Sequence, residues 1–253
     1  MASPTQTMTE LCEQVNPRGL LALRDERMRR MCPFPDMLRV QESWVAAVEK
    51  RALLWLAART PEYIHPDHLT VLGLAAQTGA GVFYAFAARD HWALLAVIGC
   101  LALNWLGDSL DGTLARVRRR LRPRYGFYVD HMVDSFGALT LMGGLALSGF
   151  MQPGIAIGLL IAFLMLSIQS YLATHTLGEF RISFWRFGPT ELRILLATGN
   201  LALFWKPVVH FFGGRYRLFD IGGAIGLAGM GLMVVVFTLQ NTVRLYRGER
   251  IAR

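Results

Sequence analysis

The stretch "GDSLDGTLARVRRRLRPRYGFYVDHMVDSF", residues 107 to 136, sets four aspartates, Asp108, Asp111, Asp130 and Asp134, about a loop of six arginines. The sequence to either side is long and apolar. Two such runs with carboxylates at their facing ends predict a pair of membrane helices meeting at an arginine-rich loop. Carboxylates near membrane depth are costly and rarely idle. The stretch therefore decides the fold class and points to function.

Asp108 and Asp111 are three residues apart, and Asp130 and Asp134 four apart, so each pair shares a helix face. Gly107 and Gly112 flank the first pair and let a ligand approach the backbone. Pro123 and Gly126 interrupt the chain between the pairs. The spacing predicts a helical hairpin with all four carboxylates converging near one end. Carboxylates so placed repel one another unless a cation lies among them. Hard oxygen donors suit Mg²⁺ or Mn²⁺, and two such ions are a usual clamp for displacement at phosphorus. Nearby guanidinium groups suit further phosphate oxygens.

Outward from this stretch, six apolar runs are expected to cross the membrane: 69–88, 92–115, 128–150, 153–176, 189–211 and 219–244. The composition agrees, with 53% hydrophobic residues and a mean hydropathy of +0.36. Residues 1–40 read as a cytoplasmic arm without an apolar core of the kind a signal peptide carries. Residues 41–60 read as an amphipathic helix at the membrane surface. Its apolar stripe is expected at Trp44, Val45, Val48, Ala52, Leu53, Trp55 and Leu56, with Glu42, Glu49 and Lys50 opposite. Residues 61–253 form the transmembrane domain. The fold class is thus all-α: six transmembrane helices after an interfacial one.

The net charge of +8 follows the rule that Lys and Arg gather in cytoplasmic loops. Both termini, the arginine loop and the aspartate site are then cytoplasmic, in a cell inner or plasma membrane. Arg215 and Arg217 run against that bias. Nucleic-acid binding is not expected, because no soluble domain remains to carry it. Cys12, Cys32 and Cys100 are few, odd in number and widely spaced, which suggests neither a disulfide framework nor a zinc site. His131 reads as a polar helix-end residue. The glycines at 222, 223, 226, 229 and 231 suit close helix packing and a homodimer face.

The run Asp108-x-x-Asp111-Gly112-x-x-Ala115-Arg116, followed by Gly126-x-x-x-Asp130-x-x-x-Asp134, resembles the signature of the CDP-alcohol phosphotransferase (phosphatidyltransferase) family. It fixes eight residue types over 27 positions. Nine residues separate Arg116 from Gly126, one more than the family pattern, and the extra one falls in the arginine loop. "HPDHLTVLGL" (65–74) is similar to the family's Pro-Asn-x-x-Thr entry to the first span, with Asp67 in place of Asn. The resemblance implies transfer of a substituted phosphoryl group from a CDP-linked donor to an alcohol, with release of CMP. Carried over by position, Asp108, Asp111, Asp130 and Asp134 would hold Mg²⁺ or Mn²⁺, two ions in all. Asp134 would also be the general base. Asp108, Asp111, Gly112, Ala115, Arg116 and Gly126 would bind the cytidine diphosphate.

The donor is left between two branches. Arg181, Arg186 and Arg193, entering the fifth span, suit the phosphate of a polar acceptor and favour CDP-diacylglycerol as donor. "GPTE" (188–191) resembles the aminoalcohol branch, which joins CDP-choline or CDP-ethanolamine to diacylglycerol, and Glu191 would there face an ammonium group. A transporter or channel also places carboxylates among membrane helices, but more often at mid-bilayer on broken helices.

Overall fold

The computed structural model describes residues 46–177, 189–211 and 214–249. Among these are seven helices and one two-stranded hairpin. Helix α1 is Ala46–Arg59, α2 Pro66–Ala87, α3 Ala93–Val117, α4 Pro123–Leu147, α5 Pro153–Leu177, α6 Pro189–Trp205 and α7 Leu218–Gly248. The hairpin strands, β1 Val208–Phe211 and β2 Gly214–Arg217, pair antiparallel with Val208 opposite Arg217. The N-terminal arm lies outside the described residues, as do Glu42, Trp44 and Val45 of the surface helix.

Prolines begin α2, α4, α5 and α6, at the one helical position where the missing N–H costs nothing. Helices α2, α3, α5 and α7 are long and apolar enough to cross a membrane. Helix α4 is as long, but its first half carries Arg124, Asp130, His131 and Asp134. Helix α6, expected to run to residue 211, stops at Trp205. Pro207 supplies no N–H to continue it, and the β-branched Val208 and Val209 pair with Arg217 and Tyr216 instead.

A second difference concerns neighbours. Helices α3 and α4 are consecutive, but they do not form the packed hairpin that the spacing predicts. Helix α2 lies against both. Its surface explains this: Gly73, Ala76, Ala80, Gly81 and Ala87 are all buried, a row of small side chains that lets two backbones approach. A Cβ on Gly107 of α3 would lie 2.6 Å from the Leu69 carbonyl oxygen of α2. A Cβ on Gly144 of α4 would overlap the Gly81 carbonyl. On α7, Gly223 and Gly226 face Ile155 and Leu159 of α5, while Gly222, Gly229 and Gly231 meet nothing within 4 Å.

Two apolar clusters result. The larger joins Ala80, Tyr84, Val97, Leu101, Leu141, Leu145 and Leu203 with residues around them. The smaller joins Leu53 and Ala57 of α1 to Leu69, Leu110 and Leu114. Helix α1 is therefore rotated from its expected setting. Glu49, Leu53 and Ala57 face inward, and Trp55 is 55% exposed. The inward face follows i, i+4, i+8, and the polar Glu49 sits on it because it finds hydrogen-bond donors there.

The arginine loop is anchored. Arg118 donates to the carbonyls of Thr60 and Pro61, both at 2.8 Å, and to that of Ile64 at 2.5 Å. Arg122 pairs with Asp67 at the start of α2. The end of α3 is closed by hydrogen bonds from Arg119 N to Arg116 O (3.1 Å) and from Arg120 N to Ala115 O (2.9 Å). That is a Schellman closure, with Arg119 at φ 53° where glycine is the usual residue.

Candidate active site

Asn104, Asp108 and Asp111 follow one another at four and three residues along α3, so they share one face. Thr70 and Gly73 do the same on α2, and Asp130 and Asp134 on α4. Because α2 lies between the other two helices, these three faces meet. Thr70, Gly73, Asn104, Asp108, Asp111, Asp130, Val133 and Asp134 line one recess. All four aspartates are thus brought together, around α2 rather than across a two-helix hairpin.

Their settings differ. Asp111 is deepest, 8% exposed. Its Oδ2 accepts a hydrogen bond from the Thr70 hydroxyl at 2.7 Å, and its Oδ1 one from the Gly112 N–H. Asp130 is half-buried, while Asp108 and Asp134 are exposed. Arg193 of α6 reaches over the recess. Its Nη2 donates to Asp108 Oδ2 at 2.8 Å and its Nε to Asn104 Oδ1 at 2.8 Å. Asn104 in turn donates from Nδ2 to the Gly73 carbonyl at 2.9 Å. The guanidinium is thereby fixed to both α2 and α3.

Among the described residues no three His, Cys, Asp or Glu side chains stand as a ready-made cation cage. Asp108 is turned onto Arg193 and Asp111 onto Thr70. The donor chemistry is nevertheless that of a hard divalent cation: four carboxylates and a hydroxyl around one recess, with neither thiol nor imidazole among them. His131 takes no part. Its Nδ1 lies 2.5 Å from the Phe127 carbonyl oxygen, and its ring packs between Phe127 and Tyr171 at centroid distances of 4.1 and 4.6 Å.

Of the expected nucleotide residues, Asp108 and Asp111 line the recess, Gly112, Ala115 and Arg116 follow them on α3, and Gly126 is one turn before Asp130 on α4. Gly112 and Ala115 are half-buried and Arg116 is exposed. A Cβ on Gly112 would touch only the Arg116 guanidinium, at 3.7 Å. Gly126 is half-buried, with nothing within 4 Å of where its Cβ would be. Of the expected acceptor residues, Arg193 reaches the recess through its hydrogen bonds to Asn104 and Asp108, and neither it nor Glu191 is among the lining residues. Arg181 and Arg186 lie outside the described residues.

Asn104 was missed in the sequence, although its spacing of four from Asp108 was a usable signal. Glu49 lies on the inward face of α1 and not on the outward face expected of a charged residue. Thr70 was visible only through the family entry motif.

The family model described as CDP-alcohol phosphatidyltransferase matches residues 63–239. That interval includes α2, α3, α4 and every residue lining the recess. A comparison with curated proteins finds no match. With more than half of its length covered, and the family's aspartates gathered on one recess, the chain belongs to the CDP-alcohol phosphatidyltransferase family.

Proposed function

We propose that this protein transfers a phosphatidyl group from CDP-diacylglycerol to the hydroxyl of a polar alcohol, releasing CMP, at the cytoplasmic face of a plasma membrane that it crosses six times. The observation that carries the reading is the convergence of Asp108, Asp111, Asp130 and Asp134 on one recess at the ends of apolar helices. Asp108, Asp111, Asp130 and Asp134 would hold Mg²⁺ or Mn²⁺, two ions in all. When bound, the cations neutralise the diphosphate oxygens and lower the cost of adding negative charge at phosphorus.

The chain's own residues do the rest. Gly112, Ala115 and Gly126 are small enough to let the nucleotide approach the backbone, and Arg116 offers a guanidinium to a phosphate. Asp134, exposed and one turn beyond Asp130, accepts the proton of the acceptor hydroxyl. The freed oxygen attacks the lipid-bearing phosphorus. The bond to the other phosphate breaks, and CMP carries away that electron pair. Arg193, held by Asp108 and Asn104, offers its charge to an anionic group on the acceptor.

This last feature supports the CDP-diacylglycerol branch. Helix α6 offers the recess a cation, Arg193, bonded to Asp108 and Asn104, which suits an anionic acceptor better than an ammonium group. A homodimer is part of the proposal; the open glycines Gly222, Gly229 and Gly231 suit one. The test is CMP release from CDP-diacylglycerol by the purified protein across a panel of alcohols, with Mg²⁺, with Mn²⁺ and with EDTA. Full activity in chelated protein would overturn the metal assignment. Activity only with CDP-choline or CDP-ethanolamine and diacylglycerol would move the protein to the other branch.

A further inference from the structure

Glu49 is 8% exposed although it lies on a helix expected at the membrane surface. Its Oε1 accepts hydrogen bonds from Trp105 Nε1 at 2.8 Å, Thr190 Oγ1 at 3.0 Å and Ser109 Oγ at 3.3 Å. Every hydrogen bond it receives among the described residues comes from a neutral group. Withdrawing a carboxylate from water is expensive, and neutral donors offset only part of the cost. A residue needed only to pack α1 against its neighbours would be better as leucine.

The three donors show what the carboxylate joins. Trp105 and Ser109 are one turn apart on α3 and bracket Asp108. Thr190 is one turn before Arg193 on α6, so the two share a face. Thus Glu49 ties together the two helices that carry the Arg193–Asp108 pair, at the level of that pair. A slip of α6 by one turn is about 5.4 Å, far more than a 2.8 Å contact tolerates.

We infer that Glu49 is a positioning residue for the acceptor end of the site: it holds α6 in register with α3 so that Arg193 stands over Asp108. The surface helix α1 is then part of the active-site scaffold. The catalytic consequence rests on the reading above, in which Arg193 meets the acceptor. The positioning itself does not.

Two measurements on the full-length protein separate these. In a background lacking Cys12, Cys32 and Cys100, spin labels at Leu54 of α1 and Leu195 of α6, both exposed, report the distance between the helices without any substrate. Glu49→Gln, which keeps an acceptor oxygen, should leave the distance distribution narrow, and Glu49→Ala should broaden or shift it. An unchanged distribution in Glu49→Ala overturns the inference. In turnover, Glu49→Ala should raise the acceptor KM by about tenfold or more and the donor KM by less than about threefold, with Glu49→Gln recovering most of the loss. A donor KM that rises in step with the acceptor KM also overturns it. Should Glu49→Ala fail to fold, Thr190→Val removes a single donor at nearly constant volume. It should shift the acceptor KM alone, and no shift counts against the inference. If the wild type transfers to no alcohol, the substrate reading fails while the distance measurement still decides the role of Glu49.

Discussion

Asp108 and Asp134 are both exposed carboxylates on one recess, and the proposed function gives them different work. Asp108 is held by Arg193 at 2.8 Å on the α3 wall. Asp134 lies on α4, one turn from Asp130 and nearer the helix interior. A ligand to a bound cation contributes to donor binding and to turnover together, whereas a proton acceptor acts at the attack step. Asp134→Asn should therefore lower kcat by roughly 10²–10⁴-fold, far more than it lowers donor affinity. Asp108→Asn should lose both, by more than the roughly 10–100-fold seen for outer-shell partners of metals. Calorimetric titration of the CDP donor beside steady-state turnover distinguishes them. Equal loss of donor affinity in the two variants would make Asp134 chiefly a ligand and leave the base to be found elsewhere. These aspartates were legible in the sequence because helical spacing alone puts each pair on one face. Glu49 was not, because a charged residue in an amphipathic pattern is assigned to water unless its donors are known. Those donors lie 56, 60 and 141 positions along the chain.

At the scale of the element, sequence adjacency misled on which helices touch. A short connection usually means neighbours, but α2 presents its small residues to both α3 and α4 and takes the place between them. The information was present in Gly73, Ala76, Ala80 and Gly81, yet nothing local says that such a row will meet two helices rather than one. The consequence is testable on a single helix. Gly107→Ala forces a methyl against the backbone of α2 and should destabilise the protein by about 1–3 kcal/mol or more. Gly99→Ala, where nothing lies within 4 Å of the added carbon, should be neutral or stabilise by up to about 1 kcal/mol through helix propensity. Thermal unfolding in detergent ranks the two, and equal effects would refute the close α2–α3 crossing. The end of the same helix offers a second check. Arg119 holds a left-handed conformation that costs an L-residue about 1–2 kcal/mol relative to glycine. Arg119→Gly should then raise the unfolding temperature, and a fall would show that the arginine side chain contributes more than its backbone strain removes.

The orientation of the whole molecule rests on charge and on aromatic residues. Among the described residues, the end that carries the aspartate recess holds Lys50, Arg51, Arg59, six arginines from 116 to 124, Arg193, Arg244 and Arg247, twelve cations against Arg89, Lys206, Arg215 and Arg217 at the other. Exposed aromatic residues mark both ends: Tyr63, Tyr128 and Tyr246 near the recess, Trp92 and Trp205 opposite. Such residues favour the headgroup region, so the pattern fits helices that cross the bilayer rather than lie along it. The β-hairpin weakens the asymmetry, since Arg215 and Arg217 are exposed on β2. With twelve cations against four, the recess end should still face the cytoplasm, where a CDP-linked donor would be met. A cysteine replacing Arg120 should react with a membrane-impermeant maleimide only after the cytoplasmic side is opened. One replacing Tyr216, 49% exposed on the hairpin, should react in intact cells. Labelling of position 120 from outside would put the recess on the wrong side for its donor and remove the topological support for the proposed reaction.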